Sequence, residues 1–327
     1  MIEGGYIMAK LNIMIGIPGS GKTKYAKTEL LTDNAVYLSS DDMRVDMFGF
    51  EDQTHNAEVF ERMKRETLTA LQNDFDVVYD ATNLSKKRRS DIIKRAKMCD
   101  AEVNAYLCCT PINIILERNI TRQERQIPWD KLIQMIQSIE PPMYYEGFDN
   151  IYLIDGGMYN DVYDYNFLIN DCVDYKQGNP FHYETLEEHI KAVVKRAEDL
   201  GKNLKLRIDA EILRQAARYH DILKPYTRQF NDKKGYCTYY NHEKLSTYAF
   251  FCHVRKQNFI DDFNRVRLSD SSYQIGALIL NHMEWYCRED MTPIKEMFND
   301  DNLYRLLELL HEADQWGRNE NAIKEDK

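Results

Sequence analysis

Five short apolar and β-branched runs, Leu11–Ile15, Ala35–Ser39, Asp76–Tyr79, Val103–Cys108 and Ile151–Ile154, punctuate the first half of the chain. The stretches between them carry helical spacing or length. Strands alternating with helices in this way predict a parallel sheet covered on both faces. The pattern stops after Asp155. From Gly156 to Pro180 come Gly-Gly, scattered Tyr, Asn and Asp, and then Gly-Asn-Pro, the composition of a linker with room for one edge strand. Beyond Pro180 the strand signature gives way to amphipathic stretches over Thr185–Leu200, Asp209–Tyr219, Glu243–Lys256, Ser271–Met283 and Leu303–Trp316. The expected architecture is an α/β domain, a parallel sheet with flanking helices, over residues 1–158. A linker over 159–179 and an all-α domain over 180–327 follow.

Composition agrees with two cores. The 327 residues exceed what a single core usually holds. Hydrophobic residues at 43% and charged residues at 29% exclude long disorder and a disulfide scaffold. Acidic residues outnumber basic ones by 53 to 43, a formal charge of −10, so a polyanion must be met by a local basic site. The seven cysteines form no CxxC pair, and Cys108 and Cys109 are adjacent within a strand, which suits a reducing compartment. The run Leu11–Ile15 is too short for a signal-peptide core or a membrane span, so no membrane association and a cytoplasmic location are expected. Seven of the eight histidines lie after residue 180.

The first candidate chemistry is Gly16-Ile17-Pro18-Gly19-Ser20-Gly21-Lys22-Thr23, which fits GxxxxGK[ST] between an expected strand and an expected helix. Glycines there let backbone N–H groups close around phosphate oxygens, Lys22 neutralises the β/γ charge, and the Thr23 hydroxyl can ligate Mg²⁺. ATP and Mg²⁺ are the expected cofactors. The second strand ends in Ser40-Asp41-Asp42-Met43-Arg44 and the third in Asp80-Ala81-Thr82-Asn83, both at carboxyl ends that face the ligand crevice. A carboxylate there can take the proton of an attacking hydroxyl, and an arginine can hold an anionic acceptor. Asp80 can support Mg²⁺ or the Lys22 ammonium, while Thr82 and Asn83 offer hydrogen bonds to acceptor or nucleotide. Arg118 and Arg122 sit four residues apart on one helical face, with Arg125 just beyond, placed to fold over the triphosphate as a lid. The run Lys86-Lys87-Arg88-Arg89 is a further candidate contact for a nucleic-acid end.

Together the phosphate loop, Asp41-x-x-Arg44, Asp80-x-Thr82-Asn83 and Arg118-Asn119-x-x-Arg122 ahead of Ile127-Pro128 resemble the 5′-OH polynucleotide kinase domain of end-healing kinase-phosphatases, over roughly residues 10–155. The resemblance implies that Asp41 is the general base, that Arg44 grips the acceptor phosphate next to the 5′-hydroxyl, and that Arg118 and Arg122 contact ATP.

In the second half His189, His220-Asp221, His242, His282 and Asp314 each fall within or at the edge of an expected helix, so inward-facing residues could converge. Imidazoles and carboxylates suit Mn, Zn, Fe, Co or Ni, and an open coordination position lets such a metal generate hydroxide near neutral pH. Asn179-Pro180-Phe181-His182 with Thr185 and His189, then His220-Asp221-x-x-Lys224-Pro225, Asn241-His242-Glu243, His282 and Asp314 resemble the HD phosphohydrolase superfamily over about residues 180–318. The resemblance implies a first metal on His189, His220, Asp221 and Asp314, with His242 and His282 completing a second. It also implies that Lys224 meets a phosphate oxygen and that His182 faces the substrate. His253 and His311 are left outside the site.

A phosphoryl-adding and a phosphate-removing domain make sense together on the two ends of one break. The expected function is nucleic-acid end healing, most simply of RNA. ATP-dependent phosphorylation of 5′-OH ends would be paired with metal-dependent removal of 2′,3′-cyclic, 2′- or 3′-terminal phosphate. The expected partners are RNA or DNA termini and a separate RNA ligase acting downstream. The alternative is a metabolite or nucleoside kinase fused to an HD nucleotidase. A third class, a non-catalytic ATP switch, would make Asp41 and the histidine set accidental.

Overall fold

The computed structural model describes residues 8–49, 54–122, 126–156, 165–258 and 261–318. The chain forms two compact units. The first holds residues up to 135, 139–159 and 258–268, and the second holds 136–138, 160–257 and the chain from 269.

The first unit is built on strands β1 (Lys10–Ile15), β2 (Ala35–Ser39), β3 (Asp76–Asp80), β4 (Glu102–Cys108) and β5 (Asn150–Ile154). They run parallel in the order β2-β3-β1-β4-β5. Leu11, Ile13, Met14 and Ile15 have no exposed surface, as expected of a central strand covered on both faces. Polar side chains set the register near the amino ends. Asn12, Asn104 and Asn150 lie opposite one another across β1, β4 and β5. Asn150 donates to Asn104 at 2.8 Å and Asn104 to Asn12 at 3.2 Å. The carboxyl ends of β1, β2, β3, β4 and β5 therefore share one edge, where a doubly wound sheet binds its ligand.

The second unit is a set of helices, Leu186–Gly201, Arg207–Tyr219, His242–Gln257, Asp270–Asn281 and Asp301–Trp316 among them. The α/β-then-helical order expected from the sequence is the order observed.

Three details differ from the expected organisation. The linker assigned to 159–179 contains the helix Tyr165–Ile169 and a turn through Cys172. Leu168 and Cys172 are fully buried, so residues 165–172 are part of the second unit's core. The all-helical second half carries a hairpin of β6 (Gln229–Asn231) and β7 (Tyr236–Thr238). It also sends β8 (Arg265–Arg267) back to the first unit, where it pairs antiparallel with β5. Three residues are too few to show a period of two, so β8 leaves no signature in the sequence. Its anchors are aromatic. Tyr25 donates to the Phe263 carbonyl at 2.7 Å and Tyr144 to the Leu268 carbonyl at 3.0 Å. The Arg265 guanidinium lies 4.1 Å from the Tyr152 ring centre and donates to the Tyr106 hydroxyl at 2.9 Å.

The first unit thus depends on residues more than a hundred positions downstream. A chain cut after residue 158 loses the β8 pairing and uncovers β5, at a cost of about 1 kcal/mol for each ladder hydrogen bond before the lost aromatic contacts are counted. Its thermal unfolding, followed by circular dichroism, is expected to begin several degrees below the first transition of the full chain. Coincident transitions would contradict the dependence.

Candidate functional site

β1 delivers the chain into the loop Gly16–Gly21, and the helix starts at Lys22. Gly19 and Gly21 sit at φ +88° and +98°, where a side chain would be strained. At Gly21 a Cβ would also stand 2.5 Å from the Gly156 carbonyl oxygen. Gly156, at the end of β5, is pressed on the Ser20 carbonyl so closely that only glycine fits. The sequence had placed it among linker residues. The Lys22 ammonium curls back to the Ile17 carbonyl at 3.3 Å. Burial lowers its pKa, against the attraction of Cys108, Asp80 and Asp41 and with the repulsion of Arg122. Asp41, Asp80 and Arg122 thus lie within electrostatic reach of Lys22.

Thr23 and Asp80 meet. The Thr23 hydroxyl donates to Asp80 Oδ2 at 2.7 Å, and the Tyr37 hydroxyl donates to the same oxygen at 2.7 Å. A hydroxyl and a buried carboxylate beside a buried ammonium are the donor set that a magnesium–nucleotide complex requires. Tyr37, which fixes Asp80, was not foreseen.

Asp41 and Arg44 form an ion pair at 2.8 Å on the helix Ser40–Phe48, which Ser39 caps by accepting the Asp42 N–H. The two side chains differ sharply: Asp41 is 54% exposed and Arg44 only 4%. Arg44 also donates to the Ser40 carbonyl and to Asn56 Oδ1 at 2.6 Å, and its Nε has no acceptor. Asn56, the brace on Arg44, carries no sequence signal.

Several expected ligand contacts prove to be braces of the loop itself. Arg118 donates to the Gly19 and Gly156 carbonyls at 2.9 and 3.0 Å, so it clamps the phosphate loop to the end of β5. Asn83 is buried, adopts φ +48° and donates to the Met14 carbonyl at 2.8 Å. The Thr82 carbonyl accepts the Gly16 N–H at 3.1 Å. Asn119 pins the Ile127 backbone through two hydrogen bonds of 2.9 Å; Arg125 lies outside the described residues. Arg89 cannot serve a nucleic-acid end. It has no exposed surface, pairs bidentately with the buried Glu146 at 2.7 and 2.8 Å, and donates to the Asn83 and Glu140 carbonyls.

In the second unit each candidate ligand is fixed by a helix end or a helix face. His189 lies in the first turn of Leu186–Gly201, which Thr185 and Glu188 open with a capping box. His220 and His282 cap the carboxyl ends of their helices, His242 opens another, and Asp314 lies near the end of Asp301–Trp316. The ligand atoms of His189, His220, Asp221 and Asp314 lie within 4.8 Å of one another, and so do those of Asp221, His242 and His282. Asp221 is common to both sets. His189 Nε2 is 3.4 Å from its Oδ2 and 3.1 Å from Asp314 Oδ1. His242 Nε2 and His282 Nε2 are 3.0 and 3.5 Å from its Oδ1. His253 and His311 belong to neither set.

The far nitrogens decide what this cluster can hold. Nδ1 of His189, His220, His242 and His282 faces the carbonyls of Gly317, Ala217, Tyr239 and Ile279 at 3.1, 2.8, 2.6 and 2.7 Å. A carbonyl only accepts, so each Nδ1 keeps its proton, and whenever a ring is neutral it turns an Nε2 lone pair inward. Two such pairs face each other, His189 against His220 at 3.4 Å and His242 against His282 at 3.2 Å. Asp221 Oδ1 is buried with no hydrogen-bond donor. Lone pairs and carboxylates gathered in this way repel unless a cation lies among them, so the residues fit one or two divalent ions.

Protons show the same demand. Burial disfavours charge on His220, yet Asp221 and Asp314 push its pKa up to about 10. Burial alone would raise Asp221, but His220 and Lys224 hold it well below the usual carboxylate range. The Lys224 ammonium lies 2.5 Å from Asp221 Oδ2 and donates to Gln177 Oε1 at 3.1 Å. Tyr286 donates to Asp314 at 2.8 Å. His182 packs edge-on against His189, and its Nδ1 is 2.7 Å from Glu184 Oε1. Gln177, Glu184 and Tyr286 were not singled out from sequence. Glu184 could have been, since it stands between His182 and the helix cap.

Comparison with known proteins follows the same division. Residues 11–142 match the family model described as the AAA domain, and residues 186–315 match that of the HD domain. The chain carries a P-loop kinase domain followed by an HD domain. An L-seryl-tRNA(Sec) kinase of Methanococcus maripaludis is 26% identical over 207 residues, which cover 59% of this chain and 78% of that protein. A chain in a solved Pnkp1/Rnl/Hen1 RNA repair complex matches at 24% identity and a TM-score of 0.37, with 42% of this chain and 45% of that one covered. The PezAT toxin–antitoxin system of Streptococcus pneumoniae matches at 16% identity and a TM-score of 0.33, with 46% and 68% covered. The chain thus spans less than half the length of the repair-complex chain. Among the described residues no helix is long and apolar enough to cross a membrane.

Metal content is expected to follow the geometry. Full-length protein loaded with Mn²⁺ and passed through a desalting column should retain about two ions, His282→Ala about one, and Asp221→Ala neither. Full retention by Asp221→Ala in elemental analysis would contradict a shared carboxylate.

Proposed function

We propose that the chain heals nucleic-acid ends. Its kinase domain would phosphorylate 5′-hydroxyls from ATP, and its HD domain would remove 2′,3′-cyclic, 2′- or 3′-terminal phosphate. The observation that carries the kinase reading is the Asp41–Arg44 pair: an exposed carboxylate at the phosphate loop, oriented by a buried guanidinium. Asp41 is the general base. It accepts the acceptor hydroxyl's proton as that oxygen bonds to the γ-phosphorus and ADP leaves. Arg44 positions Asp41, and its guanidinium, buried with an Nε that has no acceptor in the protein, is proposed to meet the acceptor phosphate. Gly16, Gly19, Ser20 and Gly21 cradle the phosphates around Lys22. Thr23 and Asp80 hold Mg²⁺, Arg118 stiffens the cradle, and Arg122 stabilises charge in the transfer. The relative named for a tRNA-borne hydroxyl supports an RNA acceptor.

In the HD domain His189, His220, Asp221 and Asp314 would hold one divalent ion, and Asp221, His242 and His282 a second. A bound ion of this kind supplies Lewis acidity toward water and phosphoryl oxygen. Lys224 meets the substrate phosphate from the side of Asp221, His182 faces the substrate, and the carbonyls behind each Nδ1 keep the imidazoles aimed inward. The seryl-tRNA relative favours a second reading of the first domain, phosphorylation of a hydroxyl attached elsewhere on an RNA. A separate RNA ligase would use the healed ends.

Wild type given ATP, Mg²⁺ and 5′-OH RNA is expected to transfer phosphate, and Asp41→Ala or Lys22→Ala to lose at least about a hundredfold in rate. Transfer to free nucleosides or seryl-tRNA but not to 5′-OH RNA would overturn the end-healing reading. Asp221→Ala should abolish 3′-end dephosphorylation and keep the kinase; a variant that keeps both activities would remove Asp221 from the mechanism.

A further inference from the structure

A cavity of about 500 Å³ opens in the second unit between residues 176–184 and the hairpin at Gly235 and Tyr236. Its walls are held by backbone pairing. The Cys237 N–H donates to the Gly178 carbonyl at 2.9 Å, and bridges join Lys176 to Thr185 and Asn179 to His182. One end of the cavity is continuous with the metal cluster, because His182 and Glu184 line it. The His182 ring centre lies 4.7 Å from that of His189, and Glu184 Oε1 lies 3.6 Å from His189 Nδ1.

The rest of the lining has a different character. Asn179 spends its Oδ1 on the Phe181 N–H at 3.0 Å, which leaves its amide NH₂ to donate elsewhere. Tyr236 is half-buried and braced by Phe181 at 90°, with ring centres 5.8 Å apart, so its ring is already oriented. Lys176, on the rim, is the one cation among the lining residues. A site for phosphate alone would need several cations and no aromatic wall. An apolar ligand would leave the amide and the ammonium without use. An oriented ring, a free amide donor and one cation, placed one side chain away from metal ligands, match a nucleoside whose phosphate lies at the metals.

We propose that this cavity is the nucleoside subsite of the phosphohydrolase centre, with the base of the terminal nucleotide on Tyr236, Asn179 donating to a base acceptor, and Lys176 meeting the next phosphate of the chain. The inference rests on the HD domain acting on nucleotide phosphates, as proposed above. The HD domain then selects nucleic-acid ends by their terminal nucleoside, as well as by their phosphate.

The test compares hydrolysis of a nucleoside 3′-monophosphate with that of the abasic 1-deoxyribose 3-phosphate, which lacks only the base, by the protein with Mn²⁺. The wild-type ratio of kcat/KM is expected to favour the nucleotide by about tenfold or more, to fall toward one in Tyr236→Ala, and to survive in Tyr236→Phe, which keeps the ring. A ratio near one in wild type, a ratio unmoved by Tyr236→Ala, or no hydrolysis of the nucleotide would overturn the subsite. A readout independent of turnover is photocrosslinking of RNA ending in 4-thiouridine 3′-phosphate. Adducts on residues 229–240 are expected, and adducts confined to other peptides overturn the assignment. Base-dependent hydrolysis of mononucleotides without any action on oligonucleotide ends would refute end healing and leave the subsite standing.

Discussion

Asp221 turns both carboxylate oxygens toward imidazoles whose other nitrogens face backbone carbonyls, and the helical half is arranged around that fact. Five helices end, begin or turn their inner face at this point; four deliver one ligand each, and Arg207–Tyr219 leads into both His220 and Asp221. Helix termini suit the task because their free carbonyls fix the tautomer of a histidine placed there. His220 and His282 both accept this arrangement, each resting its Nδ1 on a carbonyl three residues earlier. The cluster is therefore built from main-chain geometry outward, with the metal-facing nitrogens as its last layer. The same inward lone pairs that disfavour an empty cluster set its preference for a divalent ion.

The kinase half follows a different logic. Its functional atoms come from the carboxyl edge of one sheet, and the loop that cradles phosphate is held by residues first taken for ligand contacts. Arg118, Asn83 and Thr82 all bond to the loop or its strand, which gives a glycine-rich segment a fixed shape before any nucleotide arrives. Preorganisation of this kind comes from groups outside the loop that bond to its backbone.

What could be read from the sequence was whatever repeats or carries a fixed spacing. Strand and helix alternation placed the sheet, GxxxxGKT placed the loop, and His-Asp adjacency with its flanking histidines picked out the residues that converge in two clusters able to hold a metal, while Glu184, which joins His182 and His189 in a third such cluster, was not picked out. Partners brought in by tertiary packing left no trace. Asn56 reaches Arg44 from twelve residues away and Tyr37 reaches Asp80 from a neighbouring strand, and nothing local to either predicts the contact. β8 is the clearest case. Arg-Val-Arg carries no strand signature of its own; β5 and the tyrosines around Arg265 supply the reason for a strand. Gly156 was misread for a related reason, since a glycine that allows close backbone approach looks identical in sequence to one that loosens a linker.

The acidic surface and the proposed polyanionic substrate are reconciled by where the cations lie. Lys22, Arg44 and Lys224 are each buried, and each is set beside a carboxylate on the reacting edge of its domain. In the proposed function, charge placed there would act on one or two phosphates at short range and in low dielectric, where it is strongest. It contributes little to long-range attraction along a strand, which a net charge of −10 would oppose in any case. Under the proposed function, recognition would come from the terminus itself: a hydroxyl that Asp41 would deprotonate at one end, and at the other a phosphate set among the clustered histidines and carboxylates with its nucleoside against an aromatic ring. Such an enzyme would read ends and ignore the length of chain behind them.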